Sequence, residues 1–330
     1  MHEQATRRRR ILAIDGGGVR GIIPALALEA LEEATGRPAR DSFDFLAGTS
    51  TGAVIAAAVG AGIPAERIVS LYRRRAPELF RRVPVLNLVR RVLFGFQYDV
   101  AELRRILGEE LGEQASWRIN DVPRDIMLTA KGLDDGHPWY FVKDRADDPG
   151  GRRTGELLLA DCVTASAAAP TYFAPWAVPG IGLLVDGGVG VAGNPVYQAC
   201  VEAFEYDDYK PRETIVVSLG TGRFLDRSRP TWLWSWVEWV LGEMFRSPGE
   251  QQTELVQRHY DDAILYRIDV RLPRDFHLDS LGADLDELEG IGRGLAALLD
   301  WPAILEGSDE EFRVGRPREA QPQAYCRVVA

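Results

Sequence analysis

Phe43-Asp-Phe-Leu-Ala47-Gly48-Thr49-Ser50-Thr51-Gly52-Ala53 is an apolar run that stops at a glycine, turns through a serine and restarts among small residues. Phe43–Ala47 reads as a buried strand and Ala53–Val59 as a small-residue helix. The turn between them has the pattern G-x-S-x-G. A strand that turns sharply into a helix forces its central residue into a strained conformation and needs small neighbours, which the two glycines supply. The serine hydroxyl is thereby pushed out at the sheet's edge, at a helix N-terminus whose dipole favours an oxyanion. Ser50 is therefore a candidate nucleophile. The plainer reading is a glycine-rich turn that tightens packing.

Upstream, the strand-like Ile11–Ile14 runs into Asp15-Gly16-Gly17-Gly18-Val19-Arg20-Gly21, and Ile22–Ala34 follows with helical periodicity. Two readings compete for this loop. Gly16-x-Gly18-x-x-Gly21 matches a dinucleotide fingerprint, but that site wants an acid at the end of the second strand, and Asp41 and Asp44 precede it. Alternatively, the backbone N–H groups of Gly16, Gly17 and Gly18, joined by that of Thr51, face one small space and form an oxyanion hole. Arg20 either supports the loop or makes a surface ion pair.

A base is also needed. His2, His137, His259 and His277 are the only histidines; His259 and His277 are candidates by chain order, but neither lies in a glycine-rich, strand-end setting, and a solvated histidine is the plainer reading of both. Leu183-Leu-Val-Asp186-Gly-Gly188 does have that setting: an acid closes an apolar strand, where a parallel sheet places its ligand crevice. Partial desolvation would raise the basicity of Asp186. The rival reading is a turn-capping Asp-Gly.

Together these stretches closely resemble the patatin-like phospholipase family, whose members pair a D-G-G-G-x-R-G loop with a G-x-S-x-G turn and a later D-G-[GA]. Ala165-Ser-Ala-Ala-Ala-Pro170-Thr-Tyr-Phe173 and Ser218-Leu-Gly-Thr-Gly222 are similar to it as well. The resemblance spans Ile11 to Gly222 and, more loosely, reaches Leu299. It implies a three-layer α/β/α fold with a mostly parallel central sheet. It also implies a Ser50–Asp186 dyad without histidine, and lipid acyl hydrolysis with no metal or organic cofactor.

The alternation of apolar strands with amphipathic stretches independently indicates an α/β chain. Asp99 opens a helix to about Leu111, and Ile126–Ala130 and Trp139–Val142 form a hairpin across Asp134-Asp135-Gly136. Ile215–Leu219 is a further strand, Asn194-Pro195 starts a helix, and Leu285–Leu299 is the clearest late one. No domain boundary is visible over residues 1–330. The expectation is one domain, with its motifs in about 11–222 and a helical part in about 223–330.

A net charge of −10 gives no pull toward nucleic acid. The odd, scattered Cys162, Cys200 and Cys326 form no disulfide framework and suggest a reducing, cytoplasmic setting. Phe45–Ala65 is uncharged, but its glycines break it into strand, turn and helix rather than a span. Two stretches are candidates for peripheral membrane contact with a phospholipid or other acyl-ester substrate. Trp232, Trp236 and Trp239 share a helical face, and Arg67–Arg91 holds eight arginines against one acid, Glu78. Each has a structural alternative: a helix docked on the core, and a solvated helix paired with acids elsewhere. A storage or lipid-binding protein with marginal esterase activity is the alternative function.

Overall fold

Period-two alternation along the first strand sorts the chain into layers. In β1 (Arg9–Ile14), Leu12 and Ile14 join one buried cluster while Ile11 and Ala13 join another. The computed structural model describes residues 7–81, 95–145, 153–190, 192–224, 231–232, 236 and 249–315.

The remaining strands are β2 (Phe45–Thr49), β3 (Asp125–Gly132), β4 (Pro138–Val142), β5 (Trp176–Val178), β6 (Gly182–Asp186), β7 (Thr214–Leu219) and β8 (Ile264–Ile268). They form one sheet in the order β5-β6-β3-β2-β1-β7-β8, with β4 also paired to β3. From β3 through β8 the neighbours along this path run parallel; β4, β5 and β6 pair antiparallel.

One face is covered by α1 (Ile22–Thr35), α2 (Ala39–Ser42), α3 (Thr51–Gly60), α4 (Ala65–Leu79), α5 (Val100–Leu111) and α6 (Leu159–Ser166). The other is covered by α7 (Val196–Val201) and the helical residues 249–259, through Val196, Ala199, Cys200 and Val256. The late helices α8 (Ala283–Ala296) and α9 (Trp301–Glu306) return to α1. Gly292 lets α8 approach Leu26, and the buried Trp301 donates its indole N–H to the Ala27 carbonyl at 2.9 Å. This is the expected α/β/α architecture.

Most predicted elements are present, with shifted ends. Asp99 caps α5 by accepting the Ala101 N–H at 2.9 Å. The β3–β4 hairpin closes through the Gly132 N–H on the His137 carbonyl. Asn194 caps α7 by accepting the Val196 N–H, so the helix opens one residue after Pro195. The short β5 and α6 and the later β8 were not foreseen. Stretches of three, five or eight residues give little periodicity, and these elements exist through the neighbours they pack against. Among the described residues no helix is long and apolar enough to cross a membrane.

The G-x-S-x-G glycines serve one close approach. A β-carbon on Gly48 would lie 2.2 Å from the Gly52 carbonyl oxygen, and one on Gly52 would lie 2.1 Å from that of Ile14. The first turn of α3 thus rests on the end of β1, and backbone cannot yield as a flexible side chain would. Gly52→Ala is expected to destabilise the fold by about 1–3 kcal/mol through overpacking. An unchanged urea midpoint would contradict this contact.

Candidate active site

The register on β3 brings the site together. Thr129 pairs with Thr49 on β2, and the next residue, Ala130, pairs with Asp186 on β6. Both Thr129 and Ala130 also pair with β4, which occupies the opposite edge. Thus β2 and β6 meet end to end along one edge of β3, and Ser50 and Asp186 stand where they meet. The buried Thr49 hydroxyl joins the Thr129 hydroxyl at 2.7 Å and the Ala192 carbonyl at 2.5 Å. Gly187 lies so close to Thr129 that a β-carbon there would be 2.1 Å from its hydroxyl.

Ser50 holds φ 55° and ψ −123°, a conformation that costs a non-glycine residue on the order of 1–3 kcal/mol. Two contacts hold it there. Its N–H is donated to the Ser166 hydroxyl at 2.9 Å, and its carbonyl accepts from Ala53 and Val54 in the first turn of α3. The buried Ser166 thus explains part of the Ala165–Phe173 stretch, whose role the sequence did not reveal. Ala168 from the same stretch accepts the Asp186 N–H at 3.1 Å.

Asp186 is fully buried. Its Oδ1 accepts the Gly188 N–H at 2.7 Å, while its Oδ2 has no regularly oriented hydrogen-bond partner among the described residues. Burial pushes its pKa up to about 7, against the opposing influence of the Ser50 hydroxyl and the Gly188 N–H. A carboxylate in this state gains a proton readily near neutral pH. The histidines stand apart from it. His259 is exposed and bonded to the Tyr197 hydroxyl, His277 is exposed, and no histidine lines the cleft containing Ser50.

The glycine loop lies against the serine, a β-carbon on Gly16 falling 3.2 Å from that of Ser50. Its amides are not equivalent. The Gly16 N–H is engaged by the Gly193 carbonyl at 3.0 Å, which removes it from the expected donor set. The Gly17 and Gly18 N–H groups make no hydrogen bond among the described residues, and the Thr51 N–H opens α3, where no helical acceptor exists. Arg20 is buried, and its Nε donates to the Gly17 carbonyl at 3.2 Å, which supports the loop. On the far side, the Thr221 hydroxyl donates to the Gly16 carbonyl at 2.7 Å.

Behind the loop lies a buried ionic group that sequence reasoning missed. Arg267 on β8 holds Asp15 through two bonds of 3.0 and 2.6 Å and also reaches Ser218 and Asp269. Arg223 lies 3.0 Å from Asp269. Burial raises the Asp15 pKa to about 6 despite Arg267, whereas Arg267 and Arg223 overcome burial and keep Asp269 below its ordinary value. An acid at the end of β1 hinted at such a partner, but only the fold places β8 beside it.

Ser50 opens into an apolar cleft of about 750 Å³, lined by Val54, Leu71, Leu79, Phe80, Leu103 and Phe173 among others. Tyr72 borders it, its hydroxyl 2.5 Å from that of Thr51. The arginines of α4 are paired with acids. Arg67, Arg74 and Arg75 reach Glu110, and Arg73 reaches Glu289. This favours the paired-helix reading over an anionic-headgroup patch for the described part of that stretch; residues 82–91 lie outside the described residues, as does Trp239. Trp232 and Trp236 are 78% and 48% exposed. Cys162 and Cys200 are buried and free. Among the described residues no cluster of three His, Cys, Asp or Glu side chains offers a metal site.

A family model for patatin-like phospholipase matches residues 12–200, which hold the glycine loop, the strained serine and the buried carboxylate. The chain belongs to the patatin-like phospholipase family, a class of hydrolases. It is 27% identical to a cGAMP-activated phospholipase of Vibrio cholerae, over 89% of this chain and 92% of that one. It is 31% identical to a cGAMP-activated phospholipase of Escherichia coli, over 65% of this chain and 62% of the relative. It is 28% identical to the 85/88 kDa calcium-independent phospholipase A2 of Mus musculus, over 73% of this chain but only 32% of that longer protein. Membership of this family sets aside the dinucleotide reading of the glycine loop.

The raised Asp186 pKa has a consequence for stability. The folded carboxyl keeps its proton up to about pH 7, whereas the unfolded one loses it near 3.8, so the folded state binds more protons between these values. Asp186 therefore costs stability progressively as pH rises through this window. Asp186→Asn removes that cost. Its Tm is expected to exceed that of the unaltered protein by several degrees at pH 8 and to match it at pH 4. Equal Tm differences at both pH values would count against the buried, raised carboxyl.

Proposed function

We propose that the chain is a phospholipase A-type lipid acyl hydrolase in which Ser50 is the nucleophile and Asp186 the general base. The observation that carries this is the pairing of a strained serine with a buried carboxylate that its hydroxyl reaches and whose pKa burial lifts to near neutrality. Asp186 takes the hydroxyl proton as the Ser50 oxygen attacks the ester carbonyl. The Gly17, Gly18 and Thr51 amides receive the negative charge of the tetrahedral intermediate. One such donor contributes about 3–4 kcal/mol to lowering a barrier of this kind. Asp186 returns its proton to the departing lysolipid oxygen, leaving an acyl-serine. Water then attacks the acyl carbon, gives a proton to Asp186 and releases the fatty acid as Ser50 regains its hydrogen.

The apolar cleft beside Ser50 suits an acyl chain, and the exposed Trp232 and Trp236 suit contact with a lipid surface, where tryptophan is favoured. Two buried free thiols fit a cytoplasmic setting, with peripheral membrane attachment. The bacterial relatives carry cGAMP in their names, and similarity along 89% of the chain supports including cGAMP activation in the proposal. Fatty-acid release from phospholipid vesicles is expected to rise when cGAMP is added, and equal rates with and without it would remove the regulatory part of the proposal.

A fluorophosphonate probe, followed by peptide mass mapping, is expected to label Ser50. Ser50→Ala is expected to lose labelling and ester hydrolysis while keeping its circular dichroism. In the unaltered protein kcat/KM should rise with pH around a midpoint near 7, as Asp186 becomes ionised. Label on another serine, or full activity in Ser50→Ala, would overturn the assignment.

A further inference from the structure

The cleft at Ser50 adjoins a second, narrower space, and Val54, Leu71 and Leu107 line both. These three side chains, from α3, α4 and α5, form the partition between the two spaces. Beyond it, Ala57 and Ala58 of α3 leave room that larger residues would fill, and Ile68 and Val163 complete apolar walls.

The far end is different in character. Arg67 and Glu110 line it, and they are joined by a guanidinium-to-carbonyl bond of 3.2 Å and a carboxylate contact of 3.7 Å. Glu110 is buried and also accepts from Arg75 at 2.7 Å. Apolar chain gains about fourfold in binding for each methylene taken from water. That gain stops at an ion pair, because a methyl terminus offers the charges nothing in exchange for their remaining hydration.

We propose that the second cavity is a distal subsite for the methyl end of a long acyl chain, entered between Leu71 and Leu107 and closed by the Arg67–Glu110 pair, so that it sets chain-length preference. The inference rests on the assignment of Ser50 as the acyl-accepting serine, since that fixes the end from which the chain enters. Leu71 and Leu107 act as the gate and Ala58 as the floor space; none of them touches the reacting atoms.

The test separates binding from catalysis by using the Ser50→Ala protein and free saturated fatty acids of six to eighteen carbons, with dissociation constants from calorimetry. Affinity is expected to climb with length and then level off. Ala58→Leu, added to Ser50→Ala, fills the distal cavity and should move the plateau to chains several carbons shorter, weakening the longest acid at least tenfold. Leu107→Ala should instead ease entry and leave the plateau where it was. A plateau unmoved by Ala58→Leu, or an affinity independent of length, overturns the subsite. A substitution of the alanine that unfolds the protein would show in circular dichroism, and Ala57→Val then serves as the milder filling variant with the same reading. The Ser50 assignment fails separately, through the labelling experiment, because fatty-acid binding does not need a reactive serine.

Discussion

The site depends on one edge of one strand. β3 accepts β2 as far as Thr129 and β6 from Ala130 onward, so two chain segments running in opposite directions meet end to end. Each ends in a residue that needs the other. The serine stands at the close of β2 and the carboxylate at the close of β6, and Thr49, Thr129 and Gly187 lock the junction with hydroxyl bonds and close approach. A slip of one residue would turn each side chain to the opposite face. The layers above and below the sheet follow from ordinary alternation, but this junction decides that there is a site at all.

Everything around the junction resists relaxation. Ser50 is kept in a conformation it would otherwise leave, through Ser166 on one side and the first turn of α3 on the other. The glycine loop is gripped by Arg20, Thr221, Gly193 and Leu278, while the Gly17 and Gly18 amides make no hydrogen bond among the described residues. Asp15 anchors the loop's base to Arg267, inside a network with Asp269 and Arg223 in which opposite charges offset one another. Rigid placement of donors before the reaction is what makes such groups effective on a developing oxyanion, since no reorganisation is needed as charge appears.

Local patterning carried much of this. The strand–turn–helix reading around Ser50 and the acid at the end of β6 needed only hydrophobic runs and glycine positions, because glycine is required wherever backbone meets backbone. Gly52 against Ile14 and Gly187 against Thr129 are instances. The resemblance of ordered motifs to the patatin-like family then supplied the layers. What escaped was of another kind. Ser166 looked like one small residue among alanines, Arg267 like an arginine in a strand, and Gly16 like an equal of its neighbours. Their roles are partnerships across 116 residues for Ser166, and 252 for Arg267, and no local pattern encodes a partner at that range. The acids that pair with the arginines of α4 are likewise out of reach of a local pattern, as they lie on α5 and α8.

By itself the sequence determined the alternating α/β character, the position of the sharp turn at Ser50, and the pairing of that turn with a glycine loop and a late Asp-Gly, because periodicity and glycine are written locally. Only the tertiary structure decided which amides remain available, which hydroxyl steadies the serine, how far burial lifts Asp186, and how deep the apolar cleft runs. Those depend on what is packed beside each group, and desolvation, charge pairing and empty volume come into existence only when distant segments meet.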